Sequence, residues 1–271
     1  MKDRSNQINA WRGLIDERLN ALGPGALPHG GKLAEAAAYV ATGGGKRLRA
    51  LLTVALEHDL SEGRRVAPRS LSSAVAIEVL HAASLVHDDL PALDNDDIRR
   101  GKPSCHKAFG EGTAILVGDA LVGVALELVL SDEALSTDLR ARLARVLSRV
   151  WRELCVGQQL DISGSRQAAP ADRDLMTRLK TGALFGASVA CGALCAGVYD
   201  AAVERFFSWG VRVGECFQAL DDLDDGDRPE SDRASIYKDC DLVREALNEL
   251  LGGGARGATH DVMRVVLNQS S

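Results

Sequence analysis

Aromatic residues are scarce in this 271-residue chain: three Trp, three Tyr and five Phe make up 4% of it. β-branched residues are thin as well, while Ala, Leu and Gly abound, and that balance favours helices over sheet. Basic charge is short too. Lys and Arg number 32 against 38 Asp and Glu, a formal charge of -6, which argues against a general binder of nucleic acid or anionic membranes. Cysteines at 105, 155, 191, 195, 216 and 240 are too few and too scattered for a disulfide scaffold, and no pair has the C-x-x-C spacing of a zinc site. Cys191 and Cys195, one helical turn apart in an Ala/Gly-rich stretch, read as buried free thiols. The start, MKDRSNQINAWRGLIDE, has no apolar signal core, so a cytoplasmic, reducing location is expected. The uncharged run at 181–199 is built from Ala, Gly, Ser and Cys rather than Leu, Ile and Phe, and so reads as a buried helix; no membrane span is expected.

What is present is ordinary globular material, 46% hydrophobic and 26% charged, with helical spacing almost throughout. Helices are expected near 5–21, 32–41, 46–59, 70–89, 112–130, 137–160, 173–199, 200–225 and 239–251. Gly and Pro mark the breaks at 23–31, Pro68, 99–103, 163–170 and 252–254. No stretch reads as an interdomain linker, so the expectation is one all-α domain over 1–271. The segments 71–89 and 181–199 are apolar on nearly every side, which makes them central helices. Polar residues inside such a helix need partners, and Glu78, His81 and the terminal Asp pair require explanation.

Two carboxylate clusters stand out. The first, HDDLPALDNDDIRRGKP, holds Asp88, Asp89, Asp94, Asp96 and Asp97, followed by Arg99, Arg100 and Lys102. The second, FQALDDLDDGD, holds Asp221, Asp222, Asp224, Asp225 and Asp227, and on a helix Gln218, Asp221 or Asp222, and Asp225 share a face. Crowded carboxylates repel one another unless cations sit among them. Oxygen-only ligation of this kind suits Mg²⁺, which fills its shell with water and phosphate oxygens. A lone Asp-rich stretch is usually a solvated helix end, but here two clusters come with cations: Lys46, Arg47 and Arg49 in GGGKRLRA, and Lys180 beside Thr181 in RLKTGALF. The glycines before Lys46 lack the P-loop spacing. His81 lies two helical turns from Asp88 on the same face.

These residues resemble the trans-isoprenyl diphosphate synthases, in particular the bacterial farnesyl and geranylgeranyl diphosphate synthases. The stretch 77–121 is similar to a family signature without gaps, and GGGKRLRA, GQQLD (157–161), LKTGALF and FQALDDLDD follow in the family's order. The resemblance implies an all-α isoprenoid-synthase bundle around a central pocket, Mg²⁺ as cofactor and a homodimer. It implies substrates as well: isopentenyl diphosphate and an allylic diphosphate (dimethylallyl, geranyl or farnesyl). By the same resemblance Asp88, Asp89 and Asp94, with Asp221, Asp222 and Asp225, hold the metal; Arg99, Lys180, Thr181 and Gln218 contact the allylic substrate; and Lys46, Arg49, His81 and Arg100 hold the isopentenyl diphosphate. The family's Lys-bearing loop after the second motif is replaced by GDRPESDRASIYKDC (226–240), where Arg228 or Arg233 is expected to substitute.

Family farnesyl synthases of the bacterial type carry an aromatic residue at the position of Ala83, which acts as a floor. Ala83 and Ser84 are both small, so geranylgeranyl diphosphate is the expected product. The competing readings are a farnesyl diphosphate synthase, a non-catalytic partner subunit of a related synthase, and a class I terpene cyclase, whose second metal motif carries Asn, Ser and Glu instead.

Overall fold

The computed structural model describes residues 2–22, 25–63, 68–164, 169–199, 201–253 and 257–267. Parts of the expected breaks at 23–31, 163–170 and 252–254, and the first residue of the helix expected at 200–225, lie outside the described residues.

The chain runs as α1 (Lys2–Ala21), α2 (Lys32–Ala41), α3 (Leu48–Leu60), α4 (Leu71–Asp88), α5 (Cys105–Phe109), α6 (Glu111–Leu130), α7 (Thr137–Ile162), α8 (Pro170–Thr177), α9 (Ala183–Ala196), α10 (Ala201–Asp224), α11 (Arg233–Leu250) and α12 (Ala258–Leu267). The only sheet among the described residues is a two-stranded antiparallel hairpin, β1 (Ile98–Arg99) with β2 (Lys102–Pro103). This is the all-α fold expected. α9 is the central helix: every residue from Ala183 to Cys195 is buried, against α3, α7, α10 and α4. α4 is its counterpart, closed from Ser73 to Leu80 and partly open at Leu71, Ser72 and its C-terminal turns.

Besides the short α5, for which no helix was expected, three elements differ from expectation. The helix expected at 173–199 breaks into α8, a π-helical turn at Arg178–Gly182, and α9. Close backbone contact is the reason. A Cβ on Gly157 of α7 would fall 2.5 Å from the Lys180 amide nitrogen, and one on Gly214 of α10 would fall 2.7 Å from Gly182 Cα. The wider turn sets Lys180 and Thr181 apart from the flanking helices, as π-turns often do at functional sites. α11 starts six residues before the expected 239, because its buried stripe Ile236, Cys240, Val243, Leu247 already begins there. α12 was not expected. Asp59 of α3 caps its start, accepting from the amides of Ala258 (2.9 Å) and Thr259 (2.7 Å), and Val262, Met263, Val266 and Leu267 bury its apolar side.

Two described stretches are long and apolar enough to cross a membrane. Ala171–Ala196 is largely buried inside the protein, and Glu111–Leu130 is α6, which keeps Ile115, Leu116 and Leu130 on its exposed side.

Candidate active site

α4 and α10 both end in carboxylates, and the π-turn and the N-terminus of α3 lie beside them. Each expected residue can be placed from its contacts. Asp88 and Asp94 share Lys180, whose Nζ donates to Asp161 at 2.6 Å and stands 3.7 Å from Asp94. Asp88 is half-buried, and burial lifts its carboxyl to about 6; Lys180 opposes the shift while Asp94 and Asp89 add to it. Asp89 is 2% exposed and committed to Arg99, which donates to Oδ1 from Nε (2.9 Å) and Nη2, and also reaches Asp96 at 2.6 Å. Burial still outweighs that partner and raises the Asp89 carboxyl. Asp97 pairs with Lys107 at 2.8 Å.

The second cluster is exposed except for Asp222. Thr181 Oγ1 donates to Gln218 Oε1 (2.9 Å), Gln218 Nε2 donates to Asp222 Oδ1 (2.8 Å), and Arg228 Nε donates to Asp222 Oδ2 (3.2 Å). The turn after α10 is fixed by the Asp227 and Arg228 amides donating to the Asp222 carbonyl. Partial desolvation by its neighbours raises the Asp221 carboxyl, and Asp225, Asp222 and Asp224 raise it further, while Lys46 pulls it down. Arg233 pairs with Glu230 in solvent, so of the two expected substitutes only Arg228 reaches the motif.

Between the clusters lies a basic pocket. Arg49 Nη1 and Arg100 Nη2 both stand 3.4 Å from His81 Nε2. Arg100 also donates to the Gly44 carbonyl. Gly45 is required there, with φ at +126° and a Cβ position 3.1 Å from the Arg100 guanidinium. Burial, helped by Arg49, Arg100, Arg47 and Arg99, holds the His81 imidazole well below its ordinary value, hence neutral. Arg49 lies over the Phe185 ring at 4.4 Å, its guanidinium lowered to about 10 by burial, and its Nε is buried without a partner.

Other expected groups serve the framework. Arg47 is 6% exposed and pairs with Asp16 (2.9 Å) and Glu78 (3.5 Å), while Glu78 also accepts from the Ala50 amide (3.3 Å), which explains both buried charges. Lys102 stands over the Tyr39 ring at 5.8 Å. Ala83 has no exposed surface, whereas Ser84 is half-buried and donates to the His81 carbonyl (3.0 Å), so Ser84 is the one that faces open space.

Asp161 and Gln158 belong to GQQLD, a segment to which the sequence alone assigns no role. Asp161 is the closest partner of Lys180, and the Gln158 side-chain amide has both polar atoms buried without a partner. Their three-residue spacing on one helix, opposite an Asp-rich pair, was the available signal.

The donor set fits a hard divalent cation. Asp88, Asp94, Asp221 and Asp225 offer only oxygen, and no three metal-ligating side chains converge among the described residues, so water and phosphate oxygens would complete the shell, as Mg²⁺ prefers.

Residues 31–241 match the family described as polyprenyl synthetase. The chain is 35% identical to a farnesyl diphosphate synthase of Haemophilus influenzae over 98% of this chain and 91% of that one. It is 39% identical to a geranylgeranyl diphosphate synthase of Rhodobacter capsulatus over 78% and 73%. Among solved structures, an FPP/GFPP synthase from Zymomonas mobilis superposes with a TM-score of 0.83 at 30% identity, covering 99% and 98%. A geranyltranstransferase from Thermotoga maritima gives 0.80 at 29%, covering 97% and 98%. With the match over 31–241 and these relatives, the chain belongs to the polyprenyl synthetase family, the trans-isoprenyl diphosphate synthases, and is a trans-prenyltransferase.

Proposed function

We propose that the protein condenses isopentenyl diphosphate with an allylic diphosphate, head to tail and Mg²⁺-dependent, to give chiefly geranylgeranyl diphosphate. One observation carries the reading: a neutral His81 between Arg49 and Arg100 forms an anion pocket beside, but separate from, the carboxylates that would bind a second diphosphate through metal. Two diphosphate sites of different chemistry are what a two-substrate condensation needs.

Asp88, Asp94, Asp221 and Asp225 would hold the metal. Mg²⁺ bound there supplies countercharge to the pyrophosphate that departs from the allylic carbon. Asp89 positions Arg99, and Asp222 positions Gln218 and Arg228, although both were also expected to bind metal by resemblance. Lys180 and Arg99 neutralise the charge growing on the leaving oxygen as the allylic C–O bond breaks. The Thr181 and Gln218 oxygens offer dipoles to the allylic carbocation. Arg49, Arg100, Lys46 and His81 hold the isopentenyl diphosphate so that its double bond attacks that carbon. Loss of a proton to the released pyrophosphate restores an allylic diphosphate five carbons longer.

Product length rests on Ser84 facing the pocket and on the small Ala83 behind it. Farnesyl diphosphate is the alternative, since relatives of both kinds are similar to this chain. One contiguous core from Trp11 to Leu267 supports the whole chain acting as one domain. The exposed apolar side of α6 supports a homodimer, with a second copy covering Ile115, Leu116 and Leu130. Six cysteines, none in a disulfide, support a cytoplasmic location. The test is to incubate the purified protein with Mg²⁺, isopentenyl diphosphate and each allylic primer, and to size the products. Geranylgeranyl diphosphate is expected, with Ser84→Phe or Ala83→Tyr shifting it to farnesyl. No product with any primer would reject the reading and favour a non-catalytic partner subunit.

A further inference from the structure

On the flank of α7 that meets α9 and α10, an open groove of about 440 Å³ is lined by Arg142, Arg145, Arg149 and Arg152, with Glu204 as its only carboxylate among the described residues. Intervals of three, four and three residues put these arginines in one stripe along the helix. Like charges so spaced repel, although a chain with a formal charge of -6 has carboxylates enough to neutralise them. The fold does so for two. Arg149 pairs with Glu153 (2.9 Å) and Glu204 (3.0 Å) and lies 4.3 Å over the Phe207 ring. Arg142 pairs with Asp138 (2.8 Å) and lies 4.9 Å over the Tyr199 ring. Arg145 and Arg152 are exposed and make no ion pair among the described residues. Ser148, between them on the stripe, adds a hydroxyl donor to the same groove.

Arg145 and Arg152 stand about 10 Å apart along the helix axis, and each side chain is long enough to cover half that distance, so both can close on one anion. The groove has the size of a small-molecule site. It is too short for a nucleic acid strand, and its neighbouring rings are covered by Arg142 and Arg149 rather than offered to bases. It is also remote from the reaction centre: Glu204 is at the start of α10 and Asp221 near its end, about 26 Å away along that helix. We infer that this groove is a second anion site, in which Arg145, Arg152 and Ser148 hold a phosphate-bearing anion of diphosphate size. Arg142 and Arg149, fixed by their rings and carboxylates, supply positive charge that does not need to be ordered on binding. Two guanidinium forks suit phosphate oxygens, whether on free diphosphate or on a lipid headgroup. The inference stands independently of the prenyl-transfer reading.

The experiment titrates inorganic pyrophosphate into the full chain by calorimetry, with EDTA present so that no metal bridges phosphate to the carboxylates. Wild type is compared with Arg145→Gln/Arg152→Gln and with Arg205→Gln/Arg212→Gln, which removes the same charge from exposed arginines of α10 outside the groove. If free diphosphate is the ligand, the α7 double variant loses one binding event or weakens it at least about tenfold. The α10 double variant keeps that event, and so does Arg100→Ala, which touches only the basic pocket of the reaction centre. In a second arm, wild type and both double variants are sedimented with vesicles of phosphatidylcholine alone or mixed with phosphatidylglycerol. If a lipid headgroup is the ligand, wild type and the α10 variant follow the phosphatidylglycerol vesicles and the α7 variant stays in solution. Equal behaviour of wild type and the α7 variant in both arms would overturn the inference. So would equal losses in the two double variants, because binding would then follow net charge rather than the groove.

Discussion

The two carboxylate clusters are nearly the same in composition, five Asp each at the end of an apolar helix, yet the fold treats them oppositely. The α4 cluster is braced: Asp89 is buried on Arg99, Asp96 shares that arginine, Asp97 takes Lys107, and Asp88 and Asp94 face Lys180. The α10 cluster lies open, with only Asp222 held, by Gln218 and Arg228. Sequence composition alone does not separate a preformed rim from one that substrate must complete. The partners do: in the braced cluster three of the five carboxylates orient Arg99 or Lys107, which leaves Asp88 and Asp94 to bind.

The largest expected effect breaks both clusters. Asp88→Ala and Asp221→Ala should each cut turnover by two orders of magnitude or more, with helical circular dichroism unchanged, because each removes a charge from a crowded rim. Near-normal turnover in either variant would show that its cluster binds no metal. Next comes the basic pocket. Arg100→Ala should raise KM for isopentenyl diphosphate by roughly 10- to 100-fold, the range for a hydrogen bond to a charged group, and His81→Ala by less. Equal losses for both substrates in steady-state kinetics would dissolve the division between the two diphosphate sites.

A smaller effect sharpens the contrast itself. If the α10 rim is closed by Arg228 alone, Arg228→Gln should raise KM for the allylic diphosphate about tenfold, while Arg233→Gln, whose partner is Glu230 in solvent, should leave it unchanged. The reverse ranking would move the closing charge to α11.

Much of this was legible because local rules and tertiary structure agree. α2, from Lys32 to Ala41, has the expected bounds, and the buried faces of α4 and α9 follow from their all-round apolarity. The two clusters lie at the ends of α4 and α10, Lys180 and Thr181 share the π-turn, and Arg49 and Arg100 both stand beside His81. What stayed hidden depends on contacts between distant segments. The π-turn exists because Gly157 and Gly214 let two other helices approach its backbone. α12 is capped by an aspartate 199 residues earlier in the chain. Arg47 reads like its neighbours Lys46 and Arg49, but its left-handed φ of 55° turns it into the protein, towards Asp16 and Glu78. Arg228 and Arg233 are equally basic in sequence, and only the turn anchored on the Asp222 carbonyl selects between them.

The smallest expected effect is on stability. Burial lifts the Asp88 carboxyl from its ordinary 3.8 to about 6 in the folded chain, so the folded state holds this proton more tightly than the unfolded state does. Below about pH 4 both states are protonated and Asp88 costs nothing. As pH rises from there through 6, the unfolded chain gives up the proton first, and stability is lost until the folded group ionises too. Two pKa units correspond to ~3 kcal/mol, which solvent screening at a half-buried carboxylate reduces to ~1 kcal/mol. Asp88→Asn should therefore be more stable than wild type by about that amount at pH 7.5 without metal, with the gain shrinking towards pH 4.5, as read by urea unfolding. A gain that did not change with pH would place its origin in packing rather than charge. The braced cluster would then carry no desolvation cost at Asp88 for a cation to relieve.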